Sequence, residues 1–268
     1  MSNYKDLSFS TYQLFIDEKY AELSDFNINQ AWNEDFEDKY QTIHNVRCDI
    51  YKEKYFTLYD NFGSPIPRPD LIYDMPTKTK LVNPRKNTQA ELKNQLFCLY
   101  DTSKKILYMN NAKKKKFVEE YLNKKLSQEI IIKNVYKNIE DFTKTLKTLD
   151  KIEFIAHRNL FSNISKSFRN IKDLFGMDEP ESFSLQAKYN ISAGEQIKRV
   201  IENFRNEQTQ IPNSCLTCIG KDDEGFEQIF NENTFSKTIN FVIQPNNENL
   251  LNKDDVFNQL IGKLENNV

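Results

Sequence analysis

A run of four consecutive lysines, Lys113 to Lys116, is the feature of this sequence with the most easily stated chemistry. The run precedes a segment with helical spacing of apolar residues, so its ammonium groups are expected at a helix N-terminus beside unpaired backbone N–H groups. Both kinds of group bind phosphate oxygens. Cations at the positive end of a helix dipole are mildly unfavourable, on the order of 0.3–1 kcal/mol each. The run therefore predicts a phosphate site, and solvated lysine side chains are the alternative.

Further cations extend this candidate site along the chain. A helix expected over residues 160–175 has basic residues at spacings of three to four opposite its apolar stripe, and a Pro-rich segment over residues 61–87 is expected to form an extended loop or arm. A solvated outer face is the alternative for the helix. The candidate polyanion-contact residues are Lys78, Lys80, Arg85, Lys86, Lys113, Lys114, Lys115, Lys116, Arg158, Lys166, Arg169 and Lys172.

Two shorter patterns are typical of metal sites. Asp70, Glu91 and Lys93 satisfy the loose PD…ExK spacing of metal-dependent nucleases, in which carboxylates hold Mg²⁺ and the lysine steadies the attacking water. Cys215 and Cys218 form a C-x-x-C pair, but a structural zinc site needs four ligands and the chain has no second such pair. Chance matches are expected in a chain rich in Glu and Lys, so no metal ligand and no cofactor is assigned.

The sequence lacks the residues and motifs that most catalytic sites require. The chain has two histidines and lacks G-x-S-x-G, H-E-x-x-H and Walker sequences. No catalytic residue is assigned, and a binding protein is favoured over an enzyme. The nuclease remains the enzymatic alternative, and a subunit whose basic face docks an acidic protein is the third hypothesis.

Charge is distributed very unevenly along the 268 residues. Residues 1–77 carry 7 Lys/Arg and 14 Asp/Glu, residues 78–172 carry 22 and 9, and residues 173–268 carry 8 and 16. The net charges of the three segments are thus −7, +13 and −8, within a total of −2. A basic middle segment predicts a polyanionic partner. The alternatives are solvated lysine faces and acidic ends that fold back over the middle.

The composition is typical of a cytoplasmic protein. No apolar run approaches the roughly 20 residues that span a bilayer, and residues 1–20 show no basic segment followed by an apolar one, so neither membrane insertion nor a signal peptide is expected. Four cysteines without secretory features are expected to be reduced thiols. Aromatic residues make up 13% of the chain and can fill a core despite modest aliphatic content.

Alternating and helical patterns are intermixed along the chain. Hairpins are expected over 46–60 and 96–110, strands over 129–135, 152–156, 183–188, 214–220 and 239–243, and helices over 112–126, 139–149, 160–175 and 252–264, with another opened by Ser192 and Glu195. An acidic stretch around Trp32 and Phe36 has a helix-like composition. The fold class predicted is α+β, with antiparallel sheets built from hairpins and packed amphipathic helices. Two subdomains are expected: an N-terminal α+β region over 1–87 and an α+β domain over 88–268.

The part of the chain from about residue 95 onward resembles the RexA-like phage exclusion proteins and the KwaB-like anti-phage defence family. The resemblance depends on element order and on local strings, of which CLTCIGKDDEGFEQIF after the helix IKRVIENF is the strongest. It implies a sequence-independent binder of double-stranded DNA in phage defence by exclusion or abortive infection. It also implies a homodimer or a second defence-system protein as partner. No family contact residue transfers, so the candidate residues depend on charge alone.

Overall fold

The computed structural model describes residues 4–26, 31–66, 68–86, 88–157, 182–192, 197–199, 201–202, 215–231 and 234–266. The chain divides into two compact units. Unit 1 comprises residues 1–14, 21–132 and 237–268, and unit 2 comprises residues 15–20 and 133–236.

The described residues form an α+β fold dominated by antiparallel strands. The strands are β1 (Lys5–Ile16), β2 (Lys19–Tyr20), β3 (Trp32–Glu37), β4 (Ile43–Tyr51), β5 (Tyr55–Gly63), β6 (Leu71–Asp74), β7 (Thr79–Val82), β8 (Asn94–Asp101), β9 (Ile106–Met109), β10 (Ile130–Asn134), β11 (Leu146–His157), β12 (Ser182–Ser192), β13 (Cys215–Asp222), β14 (Glu227–Phe230) and β15 (Ile239–Ile243). The helices are α1 (Lys115–Leu126), α2 (Ile139–Thr145) and α3 (Lys253–Asn266), with 3₁₀ turns at Leu23–Phe26 and Ala112–Lys114 and helical residues at 197–199 and 201–202. The predicted α+β class is confirmed.

Unit 1 is built around a large curled sheet. Its strand order is β10-β1-β9-β8-β5-β4-β3, and β15 pairs with β1. Successive side chains of a strand point to opposite faces, so each face of β4, β5 and β8 carries its own apolar set. One set, including Tyr55, Phe97 and Leu99, packs against Phe257 and Leu260 of α3. The other includes His44 and Cys48, which face α1.

The predicted hairpins are both present. Strand β4 pairs with β5 from Ile43↔Gly63 to Tyr51↔Tyr55, and β8 pairs with β9. Because β5 also pairs with β8, strands on either side of residue 87 share one sheet. Residues 21–132 accordingly belong to one compact unit. The helix-like stretch around Trp32 and Phe36 is strand β3, whose residues alternate between half-buried and exposed because every second side chain faces α1.

A two-stranded ribbon, β6–β7, interrupts the segment expected to be an extended loop. Its register runs from Leu71↔Val82 to Asp74↔Thr79, and within the described residues its strands pair only with each other. Its base is held by Arg68, which donates to the carbonyls of Asn83 (2.7 Å) and Arg85.

Unit 2 is a four-stranded antiparallel sheet of order β12-β11-β13-β14. Its core joins α2 and the helical residues to the sheet through Phe142, Ile197, Ile201 and Leu216, among others. The helix expected over 139–149 ends at Thr145, because Leu146 begins the 12-residue strand β11 that pairs with β12 and β13.

Two further expectations concern membranes and thiols. Among the described residues, no helix has the length and apolarity required to cross a bilayer. Cys48, Cys98 and Cys218 are buried free thiols.

Candidate functional site

Helix α1 is fixed to the sheet of unit 1 by the residues on one of its sides. Val118, Tyr121 and Leu122 are buried, and Glu119 accepts a hydrogen bond from the backbone N–H of Ile132 at 2.7 Å. At the start of the preceding 3₁₀ turn, Asn111 accepts from the N–H of Lys113 at 3.1 Å. The helix therefore presents its remaining side chains in a fixed register.

A groove of about 850 Å³ runs between α1 and strand β3 with the turn that follows it. One wall carries residues spaced three to four apart on α1 and its 3₁₀ turn, which are on one side of a helix. The other wall carries the acidic segment 34–38. The residues that line the groove are Glu34, Asp35, Phe36, Glu37, Asp38, Lys39, Tyr40, Lys113, Lys114, Lys116, Phe117, Glu120, Tyr121, Lys124 and Lys125.

Beneath the groove lies a stack of aromatic rings centred on His44. The imidazole is fully buried, 4.2 Å from the ring centroid of Phe117 and 5.2 Å from that of Phe36, with interplanar angles of 13° and 15°. Its Nδ1 is hydrogen-bonded to Asp60 Oδ2 at 2.7 Å, and its Nε2 is 3.4 Å from Asp38 Oδ2. Burial raises the pKa of the Asp60 carboxyl, and His44 and Lys114 oppose that rise.

Lys114 packs against the aromatic rings that form the floor of the groove, and its side chain is half-buried. Its ammonium nitrogen is 3.8 Å from the ring centroid of Phe62, a cation–π distance. Burial lowers the pKa of Lys114, against the attraction of Asp60 and Asp38. Lys114 is therefore a structural cation, and the sequence alone did not separate it from its three neighbours.

The turn between β3 and β4 organises the acidic wall. Asp38 accepts the backbone N–H groups of Tyr40 at 2.8 Å and Thr42 at 2.9 Å, and Gln41 adopts a left-handed conformation with φ 59°. Burial alone raises the pKa of Asp38, but the two N–H donors and His44 outweigh it and hold that pKa below the ordinary value of 3.8. The tip of the turn exposes Tyr40 by 73%.

Positive and negative charges nearly balance in the groove. Its lining has six lysines and five carboxylates, a formal net charge of +1. Lys39 pairs with Glu120 at 3.4 Å, and Lys125 pairs with Glu34. By contrast, the side chains of Lys113, Lys115, Lys116 and Lys124 have no ion-pair or hydrogen-bond partner in the described part of the chain.

The predicted contact residues are divided between separate places. Lys113, Lys114 and Lys116 line the groove together. Lys78 and Lys80 are exposed on the β6–β7 ribbon, and Lys86 is exposed at its base. Arg85 is largely buried there, donating to the carbonyl of Pro65 and pairing with Glu91 at 3.7 Å. The other four candidates, Arg158, Lys166, Arg169 and Lys172, lie outside the described residues.

Several groove residues were missed at the level of sequence. Glu34 to Asp38 resembled the surface of a helix, and Lys124 and Lys125 were not singled out. A signal for both existed. Trp32, Glu34 and Phe36 alternate with period two, as in a strand, and Lys124 follows Lys116 and Lys113 at multiples of helical spacing.

The residues of the two metal patterns are not grouped as ligands. No three His, Cys, Asp or Glu side chains within the described ranges are arranged to hold a metal ion. Asp70 is 96% exposed and pairs with Arg68 at 3.2 Å, and Glu91 pairs with Arg85. Cys218 is buried on β13, where burial raises the pKa of its thiol to about 12.

Comparison with known proteins leaves the resemblance to phage exclusion and anti-phage proteins untested. No protein-family model matches this chain, and no curated protein matches it.

Proposed function

We propose that this protein binds double-stranded DNA without sequence preference, through the lysines of helix α1 and its 3₁₀ turn. The observation that carries the proposal is the set Lys113, Lys115, Lys116 and Lys124, whose ammonium groups are not neutralised by any described carboxylate. A lysine is a flexible point charge that contacts phosphate without selecting a base.

The spacing of these lysines suits a nucleic-acid backbone. Lys113 and Lys124 are eleven positions apart, which corresponds to roughly 16 Å along a helix, or about five base pairs of duplex. The carboxylates of the opposite wall repel phosphates. A duplex would therefore lie across the outer, lysine-bearing edge of α1 and not within the groove.

A role in phage defence, by exclusion or abortive infection in the cytoplasm, is part of the proposal and depends on the resemblance. Lys78, Lys80 and Lys86, together with Arg158, Lys166, Arg169 and Lys172, remain additional candidate contacts.

A salt series tests the binding. Neutralisation of about four phosphates predicts a slope near −3.6 for the logarithm of affinity against the logarithm of salt concentration. Unrelated duplexes of equal length should bind equally. Replacing Lys113, Lys115, Lys116 and Lys124 by alanine should reduce the slope by three to four, because each lost phosphate contact removes about one. An unchanged slope in a folded variant would remove α1 from the interface.

A second candidate function, protein interaction, is favoured by the β6–β7 ribbon. Seven of the eleven large apolar side chains exposed among the described residues belong to this ribbon or its flanks: Ile66, Leu71, Ile72, Tyr73, Met75, Leu81 and Val82. An apolar patch of this kind is typical of a protein contact surface. The proposed partner is a second copy of this chain or a second defence-system protein. Capture of a protein that stays bound after nuclease treatment would support this proposal.

A further inference from the structure

We infer that the groove beside α1 holds an unpaired nucleic-acid segment, such as a strand end or a gap next to a bound duplex. This inference rests on the proposed DNA binding. The groove volume of about 850 Å³ is in the range of sites that enclose small ligands, and a duplex cannot enter such a site. A few unpaired nucleotides can.

The opposed charges of the two walls determine how such a segment would lie. Lys113 on the 3₁₀ turn and Lys116 and Lys124 on α1 attract phosphates, and the carboxylates of the β3 wall repel them. The same carboxylates accept hydrogen bonds from the amino groups on base edges. A single strand satisfies both walls when its backbone follows α1 and its bases face β3.

Aromatic side chains supply the third element. Tyr40 is 73% exposed at the rim, and Phe36 and Phe117 are half-buried in the lining. Unpaired bases stack on such rings, and each stacked base is worth about tenfold or more in affinity. A duplex offers no free base faces along its length, so only unpaired nucleotides gain from stacking on Tyr40.

Binding of a blunt duplex and of the same duplex with a five-nucleotide overhang tests the inference. Fluorescence anisotropy should give about tenfold tighter binding for the overhang. The ratio of the two affinities should fall to near one in Tyr40→Ala. Tyr189→Ala, which removes an exposed tyrosine outside unit 1, should keep the tenfold ratio.

The outcomes separate the two proposals. Binding of both probes with equal affinity by the wild-type protein overturns the groove inference and leaves duplex binding in place. A tenfold ratio that Tyr40→Ala does not change, in a variant with wild-type thermal unfolding, also overturns it. Failure of the wild-type protein to bind either probe at low salt overturns the proposed function itself.

Discussion

The groove beside α1 and the β6–β7 ribbon both contain lysines that the sequence predicts as contacts for a polyanion, but the two regions are built in opposite ways. The groove has a packed floor in which His44 is buried among aromatic rings and hydrogen-bonded to Asp60. Its two walls carry opposite charges. The ribbon has no floor. Both its strands have a free edge within the described residues, and its apolar side chains face solvent. The number of charges in a segment does not distinguish a concave site from an exposed arm. The burial of the neighbouring apolar side chains does distinguish them.

The largest expected effect concerns the groove floor. Asp60→Ala removes the buried hydrogen-bond partner of His44 Nδ1 and should cost about 3 kcal/mol of unfolding free energy, because the buried imidazole nitrogen is left without a partner. Urea denaturation measures this loss. The matched change on the ribbon, Ile72→Ala, should cost well under 1 kcal/mol since Ile72 is already 39% exposed. Equal losses would mean that the floor is no better packed than the ribbon.

A smaller effect is expected from Asp38, and it depends on pH. Its pKa is lower in the folded protein than in the unfolded chain, so its contribution is fully present above pH 3.8 and is lost as the pH falls through the lower folded pKa. Asp38→Ala should therefore destabilise the protein by about 1 kcal/mol at pH 6.

The difference between the Asp38→Ala variant and wild type should be smaller at pH 2 than at pH 6, because the Asp38 carboxylate becomes protonated as the pH falls. Unfolding midpoints at the two pH values decide the matter. Asp70→Ala is the control, because the Asp70 side chain is 96% exposed. A pH-independent loss in Asp38→Ala would show that the carboxylate hydrogen bonds are not responsible.

The smallest effect on stability is expected at the base of the ribbon's apolar face, where Leu71 pairs with Val82. Leu71→Ser combined with Val82→Ser should change the unfolding free energy by less than about 0.5 kcal/mol, because both side chains are at least half exposed. The same variant should abolish capture of a nuclease-resistant protein partner. Capture that is unaffected by the double substitution would remove the ribbon as a protein contact surface.

Local patterns predicted the local structure well. The β4–β5 hairpin followed from alternation around Lys52 and Glu53, both of which adopt the positive φ of a tight turn. Two predictions failed where distant pairing outweighs local preference. Strand β3 is acidic and resembled a helix, but it pairs with β4, and Leu146 leaves a helical pattern to enter a strand with neighbours on both sides.

The candidate site was half predictable for the same reason. Lys113, Lys114 and Lys116 belong to a consecutive run, so the sequence identified that part of the basic wall but not Lys124 and Lys125. The acidic wall comes from residues about eighty positions earlier, and only the sheet brings them opposite α1. The balance between the two walls, which is what restricts the proposed ligand, could not be obtained from segment charges.

A matched pair of charge variants tests the central claim most directly. One variant replaces Lys113, Lys115, Lys116 and Lys124 by alanine. The other replaces four exposed lysines by alanine: Lys78 and Lys80 of the ribbon, and Lys86 and Lys93 of the chain that follows it. Both lose four charges, so a nonspecific effect of net charge is the same in each. The account predicts that duplex affinity at 100 mM salt falls at least tenfold more in the α1 variant. Equal losses, or a larger loss in the ribbon variant, would contradict it.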